Sequence, residues 1–266
     1  MRLAFREPLD AEALIAFFAR RAVPGVEEVV DGAYRRSVRL PHGAGVLELS
    51  PGVEARFWLD DQRDPDAAVA HCRALFDLDT DPAPIAARLG ADPLIGPLVR
   101  KSPGRRVPGS VDAAEIAVRA VLGQQVSLAG AATLAGRLVQ LYGERLERPV
   151  AGITHLFPTA EALARADPES LPMPASRRTA LLGLTRALAN GEIELGPDLL
   201  ALPGIGPWTV SYIQMRALRD PDAFMPTDLG VRRGLERLGQ DPRAATELAE
   251  RWRPYRAYAM QHLWSV

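Results

Sequence analysis

The hydrophobic positions of this 266-residue chain follow different rules on either side of residue 87. In the first part both strand and helix periods occur. Leu14, Phe17, Phe18 and Arg21 recur at helical spacing, whereas Val53, Ala55, Phe57 and Leu59 alternate with Glu54, Arg56 and Trp58, as in a strand with one buried face. Two further runs, 34–40 and 46–50, are separated by a turn at 41–45, and Pro51-Gly52 supplies the next turn. Short strands joined by close turns make an antiparallel meander. A helix over 67–76 follows, so residues 1–87 are expected to form a small α+β domain on an antiparallel sheet.

Beyond residue 87 the strand alternation disappears. Residues 92–109 are punctuated by Pro and Gly and read as a loop or crossover. Helical patterns then dominate: Ile116, Val118, Val121 and Leu122; Leu134, Leu138, Leu141 and Tyr142; Leu181, Leu184 and Leu188, closed by Asn190-Gly191. Asp241-Pro242 places a capping residue before a proline, and Pro254 starts a last helix carrying Tyr258, His262 and Trp264. Residues 88–266 are therefore expected to be helical.

Composition narrows the chemistry. The formal net charge is −1, but residues 1–99 carry 11 bases against 16 acids, leaving the remainder at +4. That asymmetry suits a C-terminal part facing phosphate. Cys72 is the only cysteine, which excludes an internal disulfide and any cysteine-held zinc or iron–sulfur site; it reads as a small buried hydrophobe. Lys101 is the only lysine among 32 basic residues, so amines for covalent chemistry are scarce. Neither a signal-peptide pattern nor an apolar run of membrane-spanning length is present, and a cytoplasmic, nucleoid-associated protein is expected.

The most informative stretch is Leu202-Pro203-Gly204-Ile205-Gly206-Pro207-Trp208-Thr209. Two glycines two residues apart break one helix and begin another, and the amides opening the second helix face outward with the positive end of its dipole behind them. Such a turn suits a DNA phosphate, bound without reading sequence. On the glycines alone, a plain helix–turn–helix serves equally well. About twenty residues later comes Phe224-Met225-Pro226-Thr227-Asp228, ahead of a helix over 229–238. By its place after Pro226-Thr227, Asp228 reads there as a helix cap.

Together these two segments resemble the helix-hairpin-helix–Gly/Pro–Asp superfamily of DNA glycosylases. Arg251-Trp252-Arg253-Pro254-Tyr255-Arg256, Tyr258-Ala259, His262-x-Trp264, Leu122-Gly123-Gln124-Gln125-Val126-Ser127 and Leu141-Tyr142-Gly143-Glu144 resemble its 3-methyladenine DNA glycosylase II branch. The resemblance implies an enzyme excising alkylated purines from damaged double-stranded DNA, acting as a monomer without cofactor. It also implies two helical subdomains with the active-site cleft between them. Asp228 matches the essential aspartate. Cleaving an N-glycosidic bond builds positive charge on the sugar, and a fixed carboxylate stabilises it or orients the attacking water.

Trp208 stands where strand-cleaving relatives carry a lysine, so no lyase chemistry is expected. Trp208, Tyr212, Trp264 and Phe17 match aromatic positions lining the base cleft, where a cationic alkylated purine gains from electron-rich rings. Leu202, Pro203, Gly204, Ile205, Gly206 and Thr209 match the DNA-binding hairpin, whose carbonyls could also take a monovalent cation. Gln125, with Gln124 beside it, falls at the wedge that fills the gap left by a flipped base. Leu229 and Ser265 depart from the branch, standing where its better-known member has aromatic residues. Two alternatives remain open: a glycosylase for oxidised or deaminated bases, and a non-catalytic damage-binding protein that would keep the glycines without needing Asp228.

Overall fold

The computed structural model describes residues 1–266. Helix α1 (Ala11–Ala19) is capped by the Asp10 carboxylate, which accepts from the Ala13 amide. Strands β1 (Glu27–Val30), β2 (Ala33–Leu40), β3 (Gly43–Leu49) and β4 (Ala55–Leu59) then form an antiparallel sheet in sequential order. Register is fixed by pairs such as Tyr34 with Leu49 and Leu47 with Phe57. Alternation in β4 buries Ala55 and exposes Arg56 and Trp58. Phe18 of α1 stacks on Tyr34 at 4.5 Å, and on Phe76 of helix α2 (Pro65–Phe76) at 6.2 Å, so the sheet is closed on one face by two helices. Cys72 lies fully inside this core, where burial pushes its thiol up to about 12.

The expected meander is present, with β1 added to it. Residues 92–109, expected to be loop, contain a short helix, α4 (Gly96–Lys101), preceded by α3 (Pro82–Gly90). Ile85, Leu89, Ile95 and Val99 pack these two against a C-terminal core containing Met215, Leu235, Trp252 and Met260. The helical region also holds one sheet that the periodicity did not reveal, a hairpin of β5 (Arg145–Val150) and β6 (Ile153–His155). Half of its first strand is charged and Pro149 interrupts it, and its second is three residues long, so neither displays a period.

Helices α5 (Ala113–Leu122), α6 (Leu128–Tyr142), α7 (Ala160–Ala164), α8 (Ala175–Ala189) and α9 (Pro207–Arg216) surround a second core that includes Val121, Leu138, Leu181 and Ile213. Helices α10 (Leu229–Arg237), α11 (Ala245–Ala249) and α12 (Arg256–Leu263) complete the C-terminal core. Tyr212 borders both helical cores, while Trp264 borders the C-terminal and sheet cores. The aromatic positions thus collect at the junction of three hydrophobic cores.

A buried ionic cluster ties the sheet to α5. Arg36 donates to Glu115 at 2.7 Å, and Arg119 reaches Glu115 at 2.8 Å and Glu27 at 2.9 Å. Tyr34 Oη donates to Glu27 at 2.6 Å. Burial alone would raise the Glu27 carboxyl, but Arg119 and Arg36 outweigh it and hold the group at about 2.

Candidate active site

The hairpin opens with a 3₁₀ turn at Pro197–Ala201 and closes into α9. Ile205 is buried and Leu202 packs on the neighbouring helical core, which leaves Pro203 and Gly204 at the exposed tip. The two glycines differ. Gly204 has φ +81°, and a Cβ there would sit 2.8 Å from Ala180 Cβ, so the fold itself requires glycine. Gly206 is extended, and a Cβ there would meet nothing within 4 Å. Thr209, expected on the DNA-facing hairpin, is buried instead. One turn of helix separates Trp208 from Tyr212, so their rings share a face and stack at 5.3 Å.

Asp228 caps α10, its Oδ1 accepting from the amides of Gly230 at 2.9 Å and Val231 at 3.1 Å. The same oxygen accepts from Trp264 Nε1 at 2.8 Å, and Oδ2 accepts from Trp208 Nε1 at 3.0 Å. Cap and indole contacts coexist on one carboxylate: Asp228 caps α10 as expected, and the same carboxylate lies at the cleft. No guanidinium is paired with it; the donors are two amides and two indoles, with the helix dipole behind them. Gly230 makes this geometry possible: a Cβ there would lie 2.5 Å from Trp264 Cδ1. Sequence reasoning missed Gly230. The available signal was a glycine in the first turn of a helix, where it costs about 1 kcal/mol relative to alanine.

The opposite wall comes from the N-terminal region. Phe17 is buried and stacks with Trp264 at 6.2 Å. Arg21 follows one turn later, its guanidinium 3.7 Å from the Phe17 ring centroid and 5.9 Å from that of Trp264. Burial lowers Arg21 to about 10. Arg216 lies 4.8 Å from the Phe17 ring and donates to Tyr212 Oη at 2.9 Å. Burial would raise the Tyr212 hydroxyl, but Arg216 and Arg21 together bring it below its usual value. In sequence Arg21 only continues the helical spacing of Leu14, Phe17 and Phe18, and Arg216 stands four residues after Tyr212; only the tertiary structure brings the two guanidinium groups to the Phe17 ring.

One cleft of about 1530 Å³ is lined by Phe17, Arg21, Trp208, Tyr212, Trp264 and Asp228, together with Gln124, Gln125, Gly204 and Gly206; Arg216 lies behind it, against Phe17 and Tyr212. The two glutamines are used differently. Gln124 Nε2 donates to the Gly204 carbonyl at 2.9 Å and to Thr209 Oγ1 at 3.0 Å, making it a strut for the hairpin rather than part of a free wedge. Gln125 is exposed, with a left-handed φ of 55°. No group of three or more His, Cys, Asp or Glu side chains could hold a metal ion. In the hairpin, the Leu202, Gly204 and Gly206 carbonyls each already accept an N–H, from Ile205, Gln124 and Val210.

Comparison with known proteins gives two family matches. Residues 1–112 match the AlkA N-terminal domain, and residues 118–254 match the HhH-GPD superfamily base excision DNA repair protein model. The whole chain is 48% identical to a Mycobacterium tuberculosis protein named probable bifunctional transcriptional activator/DNA repair enzyme AlkA, of which it spans only 56%. It is 37% identical to DNA-3-methyladenine glycosylase 2 of Escherichia coli, with 98% of this chain and 95% of that protein covered. A 3-methyladenine DNA glycosylase structure from Archaeoglobus fulgidus superposes with a TM-score of 0.84 at 23% identity, over 99% of this chain and 97% of the other, which is a likeness of fold.

Proposed function

The chain belongs to the HhH-GPD superfamily of base excision DNA repair proteins, and from that premise we propose that it is a monofunctional DNA glycosylase excising N3- or N7-alkylated purines from duplex DNA. The observation that carries the reading is the Asp228 carboxylate, fixed at the cleft by two indoles and two amides with no cationic partner. Neutral donors set its position while leaving its charge to act on the sugar. As the bond from C1′ to the base nitrogen breaks, positive charge grows on the sugar, and a preorganised carboxylate stabilises it without reorganisation. Water then adds at C1′ and gives up a proton, to Asp228 or to solvent, leaving the abasic sugar. An alkylated purine is already cationic and leaves neutral, so the step needs no general acid.

The damaged base would have to leave the duplex to enter the cleft. Gln125, exposed beside the cleft, is suited to fill the vacated position, and its amide can bond the orphaned partner base. Gly206 supplies the open backbone that a phosphate needs for close approach. Every step uses this chain's own groups and water. A monovalent cation at the hairpin would act through backbone carbonyls, and no step runs through it. We place the protein in the cytoplasm with the nucleoid, acting as a monomer; no helix is long and apolar enough to cross a membrane.

Lyase chemistry needs an amine at the sugar. Lys101 ends α4 and does not line the cleft, and the Met1 amine donates to the Ala55 carbonyl at 2.7 Å. The reading is tested on end-labelled methylated duplex with borohydride present. Methylated bases should appear by chromatography, with the strand intact until alkali is added. A trapped protein–DNA adduct, with cleavage keeping pace with base release, would contradict the monofunctional assignment.

A further inference from the structure

The loop that carries Gln125 is tied down on two sides. Gln125 itself is exposed at the cleft with a left-handed φ of 55°, a conformation that residues with a Cβ rarely adopt and that persists only where neighbours enforce it. The enforcing contacts fall on the residue before it. Gln124 Nε2 donates to the Gly204 carbonyl at 2.9 Å and to Thr209 Oγ1 at 3.0 Å, which fixes the loop to the hairpin. The backbone carbonyl of Gln124 accepts from Arg177 Nη2 at 2.6 Å. That oxygen and the Gln125 nitrogen belong to one planar peptide unit, so holding the oxygen holds the plane about which φ of Gln125 is set.

Arg177 is otherwise out of place. It stands in the first turn of α8, where the helix dipole disfavours a cation and no acidic residue of that turn answers it. The adjacent Arg178 pairs with Glu169 at 3.2 Å. Arg177 has no carboxylate partner, makes no other side-chain hydrogen bond and does not line the cleft. The same helix carries Ala180, whose Cβ would lie 2.8 Å from a Cβ at Gly204. One helix thus braces both the hairpin and the loop. We propose that Arg177 is a positioning residue for base flipping, acting through the Gln124 carbonyl to keep Gln125 aimed at the gap in the duplex. The proposal rests on the glycosylase reading and on Gln125 as the residue that fills the gap. Without the guanidinium the 124–125 peptide is released, and Gln125 relaxes to negative φ and carries its side chain away from the cleft.

The test is a double-mutant cycle read by single-turnover excision from methylated duplex, with wild type, Arg177→Met, Gln125→Ala and the pair together. Arg177→Met should lower the rate about tenfold, the equivalent of one charged hydrogen bond. Arg177→Lys keeps the charge without the fork and should lose only about threefold. In the Gln125→Ala background either change should cost less than about twofold, because the side chain that Arg177 aims is gone. A brace of the fold alone, or a phosphate contact, would cost the same in both backgrounds; a phosphate contact would also make DNA binding less salt-dependent. A second readout needs no excision. The fluorescence of 2-aminopurine opposite a stable abasic analogue should change when saturating wild type binds, and most of that change should be lost in Arg177→Met. Excision by folded Arg177→Met within about twofold of wild type, additive costs in the cycle, or an undiminished 2-aminopurine response would each overturn the proposal. If Arg177→Met fails to fold, Arg177→Lys carries the same cycle. Absence of methylated-base release by the wild type would sink the glycosylase reading, while the 2-aminopurine readout still reports on Arg177; release with an additive cycle would sink only the role of Arg177.

Discussion

Glu27 and Asp228 are both carboxylates held by several donors, and the donors differ in kind. Glu27, at the junction of the sheet and α5, is answered by Arg119 and Arg36 and also takes hydrogen bonds from Tyr34 and the Val23 amide. Asp228, in the cleft, is answered by two indoles and two amides. Arginines cancel a charge and lock two elements together; neutral donors fix an orientation and leave the charge uncompensated. The first arrangement suits a joint, the second a site where positive charge must be met during a reaction. The difference also explains why the two carboxylates are expected to fail differently when altered.

The largest effect on stability is expected at the joint. Removing the Glu27 charge leaves Arg119 and Arg36 with less compensation in a buried setting, and breaking such a cluster costs about 3–5 kcal/mol. Glu27→Gln should therefore show a large loss in denaturant unfolding. The pH dependence sharpens the point. Because the folded Glu27 carboxyl is depressed to about 2 from the usual 4.5, its contribution is present above about pH 4.5 and lost as pH falls towards 2. The Gln variant should lack that part of the acid limb. An unchanged midpoint at neutral pH, or an unchanged acid limb, would mean that the cluster is not a joint.

A smaller effect is expected from the neutral donors. Trp264→Phe keeps an aromatic ring beside Phe17 and removes one N–H from Asp228. A hydrogen bond to a charged group is worth about 1.5–3 kcal/mol, so the excision rate at saturating protein should fall roughly tenfold or more. The melting temperature should move far less than in Glu27→Gln. If the rate stays within twofold while the protein remains folded, the indole does not position the carboxylate.

The sheet and the main helices were legible because their apolar faces repeat over several residues: the alternation in 53–59 and the spacing of Leu181, Leu184 and Leu188 survive in the structure. Strand β1 escaped because its buried end is Glu27, a charged residue held inside by Arg119, Arg36, Tyr34 and the Val23 amide. The β5–β6 hairpin escaped because it is short and mostly polar. In the candidate site, Asp228, the hairpin and the four aromatic positions were all marked by resemblance, and the cleft brings them together. Gly230, Arg21 and Arg216 were not, since each acts by close approach across the fold: Gly230 admits Trp264, and the arginines reach Phe17 from different segments. Gln124 shows the same limit. Its proximity to Gln125 in sequence says nothing of the bond to Gly204, eighty residues away, that sets its role.

The central claim is that Asp228 contributes charge to the reaction and not only a cap to α10. Asparagine is also a good helix cap and keeps one carbonyl oxygen for the amides, so Asp228→Asn separates the two roles. The decisive measurement is single-turnover excision from methylated duplex by this variant, alongside its DNA affinity and melting temperature. The account predicts near wild-type affinity and stability with excision reduced by at least about 10²-fold. A folded Asp228→Asn protein that binds DNA normally and excises within threefold of wild type would contradict it.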